Sequence, residues 1–175
     1  MGLLDSRSLC FYKIVLAYKS ALGYSSGVWR LNTMESDPKR IYELSKKQQR
    51  YVDLAARIAQ QTEFKEYKHG AVLVRGGTVL NTSCNKNKYK AWANRFRKKQ
   101  RGHATLHAEI GAILGLDRSI TEGCTVYVVR VGKCGDLKNS KPCPMCEAAM
   151  QFVGIKKVVY SNENGQIESM RIYNE

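Results

Sequence analysis

No stretch of the 175-residue chain is apolar for long enough to span a bilayer, which argues against a membrane-crossing helix. No internal repeat is visible, which argues against a solenoid or propeller. The six cysteines follow no regular framework, and two of them form a Cys-x-x-Cys pair. At this length that pattern points to metal binding rather than disulfide stapling, and to a reducing compartment. Acidic residues are scarce: 15 Asp and Glu face 29 Lys and Arg, for a formal net charge of +14. Such a surplus favours phosphate-bearing partners, whether nucleotide, polynucleotide or membrane surface. What the chain does have is a hydrophobic share of 43% and a charged share of 25%. That is enough for a core and excludes wholesale disorder.

The organisation expected is a terminal segment, residues 1–34, followed by one domain over residues 35–175. The first segment carries Arg7, Lys13, Lys19 and Arg30 against a single acid, Asp5. Three readings of it stay open. It is a weak organellar transit peptide, or a myristoylation signal through Gly2 and Ser6, or an upstream extension with Met34 as the working start. The expected location is cytoplasmic, or organellar under the first reading.

A helix is expected after Asp37-Pro38, with Ile41, Leu44, Ala55, Ile58 and Ala59 at helical spacings and an end near Thr62. Ala71–Val74 and Thr78–Leu80 read as a hairpin around Gly76-Gly77. Ala108–Leu116 reads as a helix and Thr125–Val131 as a buried strand. Cys143–Val153 reads as a helix stopped by Gly154, and Ile155–Tyr160 as a strand. Asn164-Gly165 reads as a turn in the tail. Strands alternating with helices in the second half predict parallel crossovers on one sheet, with the hairpin as an antiparallel edge.

The chemistry sits at two predicted helix starts. His107-Ala108-Glu109 opens one, and Pro142-Cys143-Pro144-Met145-Cys146 opens the next. Cys143 and Cys146 are three apart, so they share a helix face, and a helix start favours thiolate. An imidazole and two thiolates make three zinc ligands and leave a position for water, whose pKa zinc would lower towards roughly 7. Glu109 is placed to move protons without binding the metal. The competing reading is a structural zinc site closed by Cys134 or His103, with Glu109 only a helix-start acid.

Together these residues resemble the His-x-Glu…Pro-Cys-x-x-Cys signature of the cytidine and deoxycytidylate deaminase superfamily. That superfamily also holds guanine, yeast-type cytosine and tRNA adenosine deaminases. The resemblance covers roughly residues 68–160. It implies a three-layer α/β/α fold around a mixed, mostly parallel five-stranded sheet, the fifth strand being suspected in the tail. It implies Zn2+ on His107, Cys143 and Cys146, and Glu109 as the catalytic proton shuttle. It implies a substrate-contacting Asn at the end of the second strand, here Asn85, which could also be a plain turn residue. It also implies a homo-oligomer. The chain departs from many relatives in the long link Gly132–Lys141, and from the nucleobase and tRNA branches in Lys141, where Glu is common.

Residues 86–101 hold Lys86, Lys88, Lys90, Arg95, Arg97, Lys98, Lys99 and Arg101 without an acid, interleaved with Tyr89, Trp92 and Phe96. Two readings stand side by side. In one, Trp92, Arg95, Arg97 and Lys98 bind substrate, phosphate or single-stranded nucleic acid. In the other, the loop is solvated and its aromatics pack inward. His69 is expected to be a packed strand residue, and Cys10, Cys84 and Cys124 buried thiols. The function expected is hydrolytic deamination of a cytosine nucleotide of the deoxycytidylate or cytidine type, releasing ammonia. Deamination of a base within tRNA, other RNA or single-stranded DNA is the alternative, and a non-catalytic zinc module binding nucleic acid is a third reading.

Overall fold

Ser45 opens the first described helix, α1 (Lys46–Ala59), in the computed structural model, which describes residues 43–97 and 105–172. The Ser45 hydroxyl accepts from the Gln48 N–H at 3.3 Å, and the Gln48 side chain accepts from the Ser45 N–H at 2.9 Å. This reciprocal box sets the start of α1, later than the expectation from Asp37-Pro38. Asp37, Pro38 and Ile41 lie outside the described residues, as do the 1–34 segment, Met34, Cys10, Lys98, Lys99, Arg101 and His103. Leu44 precedes α1 yet packs against its core side. The helix ends at Ala59 rather than near Thr62, because Gln60, Gln61 and Thr62 tighten into bonds to the carbonyls three residues back.

In chain order there follow β1 (Lys68–Arg75), β2 (Thr78–Cys84), β3 (Lys86–Tyr89), α2 (Ala91–Asn94) and β4 (Thr105–Leu106). Next come α3 (Ala108–Ile113), α4 (Arg118–Thr121), β5 (Thr125–Val131) and β6 (Leu137–Lys138). Helix α5 (Pro144–Phe152), β7 (Lys157–Ser161) and β8 (Ile167–Arg171) complete the described chain. The hairpin turns on Gly76 and Gly77 at φ 57° and 89°, a conformation that suits glycine. The tail strand suspected from the sequence is β8, reached through Gly165 at φ 75°. Helix α3 stops at Ile113, short of Leu116, because Leu114 turns to extended backbone and Gly115 to φ 79°. Gly154, at φ 77°, follows α5 as expected.

The main path of the sheet is β2-β1-β5-β7-β8, with β6 paired to β5. It is mixed, but its balance differs from the expectation of mostly parallel pairing. Among the described residues β5 and β7 form the one parallel pairing; the other pairings of this sheet are antiparallel. The crossover through α3 does leave β2 and β5 parallel. They are not neighbours, because β1 lies between them and runs against both.

Alternation along the strands builds three layers. Val72, Val74, Tyr127, Val129 and Val159 face α1, through Tyr51, Val52, Ala55 and Ala59. Ala71, Leu73, Val126, Val128 and Val158 face the other way, onto Ile110, Ile113, Cys146 and Met150 of α3 and α5. Gly70 lets α1 lie close on β1: a Cβ there would collide with the Ala55 carbonyl. No helix among the described residues is long and apolar enough to cross a membrane.

Candidate active site

The sheet brings the starts of α3 and α5 together on one side. His107 takes extended backbone before α3, so its ring leaves the helix end. Cys143 does the same before α5, whose first position is Pro144. One turn on, Cys146 is fully buried. The three candidate ligand atoms lie within 4.8 Å of one another. His107 Nδ1 is 3.6 Å from Cys143 Sγ and 3.3 Å from Cys146 Sγ. A tetrahedral zinc bound through one N and one S would set them about 3.5 Å apart, so the donor set fits in geometry as well as type. No fourth ligand joins the cluster among the described residues, and Cys134, one of the expected closers, is exposed.

Hydrogen bonds among the three groups couple their protons. A hydrogen bond from Cys146, seconded by one from His107, holds the Cys143 thiol down to about 4. The Cys146 thiol moves the other way, because it keeps the proton the pair shares and is buried. Hydrogen bonding to Cys143 raises the His107 pKa against the effect of burial, and the nearby charge of Arg97 opposes the rise. Glu109 is 5% exposed, and burial raises its carboxyl above the usual range.

His107, Glu109 and Cys143 line a pocket of about 320 Å³ with Phe64, Tyr67, His69, Asn85, Thr105, Ala108, Ser140 and Lys141. Asn85 braces one wall. Its Oδ1 accepts from the His69 N–H at 2.9 Å, and its Nδ2 donates to the Tyr67 carbonyl at 2.6 Å. An amide has a second N–H and a second lone pair, so Asn85 keeps one of each for another partner. His69 Nδ1 lies 3.3 Å from the Tyr67 carbonyl. A carbonyl only accepts, so Nδ1 carries the proton and Nε2 is left as an acceptor. Burial holds this ring down to about 4. His69 is a strand residue, as expected, and it also faces the pocket. Arg130, opposite His69 on β5, places its guanidinium 4.5 Å from the Tyr67 ring centroid.

The aromatic part of the basic segment, Trp92 to Phe96, turns away from the pocket, while the charge of Arg97 reaches His107. Trp92 and Phe96 pack against the core, 5.0 Å apart, and Phe96 meets Phe152 at 5.5 Å. Arg95 covers all three rings at 5.6 to 5.9 Å. Neither Trp92 nor Arg95 lines the pocket. Arg97 is half-buried, and Lys98 lies outside the described residues. Cys84 and Cys124 are buried thiols, as expected.

Sequence reasoning passed over Phe64, Tyr67, Thr105 and Ser140, and took Lys141 only as a departure from relatives. For Ser140 and Lys141 a signal existed, since residues just before Pro142-Cys143 must lie beside whatever Cys143 binds. Phe64 and Tyr67 come from the link between α1 and β1, which has no periodicity to read.

The family model for the cytidine and deoxycytidylate deaminase zinc-binding region matches residues 45–162 of the chain. No curated protein matches it in sequence. Among solved structures, the cytidine deaminase from Burkholderia pseudomallei is 19% identical with a TM-score of 0.50, covering 71% of this chain and 91% of that one. The dCMP deaminase from the cyanophage S-TIM5, in complex with dCMP and dUMP, is 22% identical with a TM-score of 0.48, covering 70% and 85%. Acinetobacter baumannii RibD is 18% identical with a TM-score of 0.43; the match covers 67% of this chain and 28% of that one. At its identity, the likeness to the Burkholderia protein is one of fold.

Proposed function

The chain belongs to the cytidine and deoxycytidylate deaminase family, and on that premise we propose that it is a zinc-dependent deaminase hydrolysing the exocyclic amine of a cytosine nucleotide. The observation that carries the reading is the convergence of His107, Cys143 and Cys146 with the buried Glu109 on one pocket. His107, Cys143 and Cys146 would hold the metal. Bound zinc supplies Lewis acidity, which makes water a nucleophile near neutral pH. Glu109 takes the proton of the attacking water, delivers it to N3 of the ring, and serves again as the amine leaves C4 as ammonia. Cytosine plus water becomes uracil plus ammonia. Asn85 holds the pocket wall and offers its remaining N–H and lone pair to the substrate.

Two other readings are weaker. A non-catalytic zinc module has no use for a carboxylate buried beside the metal ligands. A polynucleotide substrate drew on Trp92, Arg95, Arg97 and Lys98; of these Trp92 and Arg95 pack away from the pocket, and Lys98 lies outside the described residues. The test is to incubate the zinc-loaded chain with cytosine, adenine and guanine nucleosides and monophosphates and with single-stranded oligonucleotides, identifying products by mass. The expected result is uracil nucleotide and ammonia from the free cytosine monophosphate. Preferred turnover of an oligonucleotide, or of a purine, would replace the substrate assignment.

A further inference from the structure

The loop that delivers Cys143 also delivers a charge to the pocket. Ser140 is 3% exposed, and its hydroxyl is heavily engaged. It donates to the Val128 carbonyl at 2.9 Å, accepts from the Ser161 N–H at 2.9 Å, and meets the Ser161 hydroxyl at 2.8 Å. The Lys141 N–H donates to Asn139 Oδ1 at 3.0 Å. Pro142 is buried, its φ fixed by the ring, and Cys143 Sγ belongs to the metal cluster. The main chain of Lys141 is therefore pinned on both sides, while its side chain is exposed and lines the pocket.

Among the described residues that line this pocket, Lys141 is the exposed cation; the charges of Arg97 and Arg130 act on His107 and His69 from outside that lining. Glu109 is buried, His107 and Cys143 are metal-ligand candidates, and the His69 ring is held neutral by burial. No ion pair to Lys141 forms among the described residues; the carboxylates of Glu66 and Asp136 are paired with Lys133 and Lys138. A cation at a pocket rim with no internal partner fits an anionic group on the ligand, and an ammonium is a compact point charge suited to phosphate.

We propose that Lys141 binds the phosphate of a nucleoside monophosphate substrate and so selects the nucleotide over the nucleoside. This rests on the cytosine-nucleotide reading above. It assigns the phosphate contact to the loop between β6 and α5 rather than to the basic segment that follows β2.

The experiment measures binding of the products deoxyuridine and deoxyuridine monophosphate by calorimetry, so no turnover is needed. It uses the zinc-loaded full chain as wild type and as Lys141→Met, Lys141→Arg and Lys141→Glu, with zinc content checked in each. The readout is the ratio of the two affinities. Wild type should prefer the monophosphate by about tenfold or more at low salt, the scale of one charge-assisted hydrogen bond. The Met variant should lose most of that preference, Arg should keep it, and Glu should reverse it. Equal affinity for the two ligands in wild type, or an undiminished preference in the Met variant, overturns the role of Lys141 alone. No binding of either product, with no turnover of deoxycytidine monophosphate, overturns the cytosine-nucleotide reading and the role with it. A Met variant that keeps its monophosphate preference but loses affinity for a cytosine oligonucleotide overturns the monophosphate assignment.

Discussion

Two stretches of this chain are dense in chemistry, and they fold to different ends. His107–Glu109 and Pro142–Cys146 come from separate helix starts; His107, Glu109 and Cys143 line one pocket, and Cys146 clusters with His107 and Cys143. Lys86–Arg97 is continuous in sequence, yet its Trp92 and Phe96 turn onto the core, Phe96 meeting Phe152, while Tyr89 stays exposed. The difference is one of geometric demand. Three ligands of a tetrahedral metal would have to keep fixed separations, so residues in that role could not drift apart. A run of cations makes no such demand, since an exposed charge can be solvated in many positions. Its Trp and Phe are then free to bury apolar surface, and Arg95 covers them as a cation over π faces.

The same contrast explains what was legible in the sequence. The Cys-x-x-Cys spacing, the His-x-Glu pair and the apolar runs Ala71–Val74, Thr125–Val131 and Ile155–Tyr160 each encode a local constraint, so the sheet cores of β1, β5 and β7 and the clustering of His107, Cys143 and Cys146 were readable. The parallel balance of the sheet was not, because the chain does not state that β1 would lie between β2 and β5. The start of α1 was readable in principle from Ser45-x-x-Gln48, but the more conspicuous Asp37-Pro38 drew the boundary upstream. The Tyr67–His69 wall depends on Asn85 reaching back to β1, a contact between distant residues with no local mark.

The sharpest way to break the comparison is at Glu109. The Glu109→Gln variant keeps the shape of the side chain but cannot accept and pass on a proton. Turnover of the cytosine monophosphate should fall about 10²- to 10⁴-fold while zinc content stays at wild type. Steady-state rates and metal analysis on one preparation check both halves. Near-normal turnover would remove the carboxylate from the chemistry; loss of zinc would make Glu109 part of the metal's support.

A second test separates cysteines with a geometric demand from those without. The Cys146→Ser variant replaces a soft thiolate with a hard hydroxyl, so zinc should be lost. Because α3 and α5 are joined through the cluster, thermal unfolding should drop by about 10 °C or more. Cys124→Ser, at a buried thiol outside the cluster, should keep its zinc. A chelator should lower the wild-type midpoint towards that of Cys146→Ser and leave that variant unchanged. Equal zinc in both variants would mean that the cluster is not where the metal sits.

The smallest effect is expected at Arg95, where the two regions differ most plainly. Its guanidinium lies 5.6 Å from the Trp92 ring and 5.9 Å from the Phe152 ring, on the surface of the aromatic cluster. A cation over aromatic faces at an exposed site contributes about 0.5–1 kcal/mol, so Arg95→Gln should shift the denaturation free energy by no more than that. Since Arg95 does not line the pocket, kcat/KM for a free monophosphate should stay close to wild type. Single-strand binding is the sensitive readout. Each phosphate contact adds about −0.7 to the log–log salt slope, so wild type and the Arg95→Gln variant should share one slope if this residue serves the core. A slope flattened by about one contact, together with weaker oligonucleotide turnover, would return the basic segment to the substrate side and erase the contrast between the two regions.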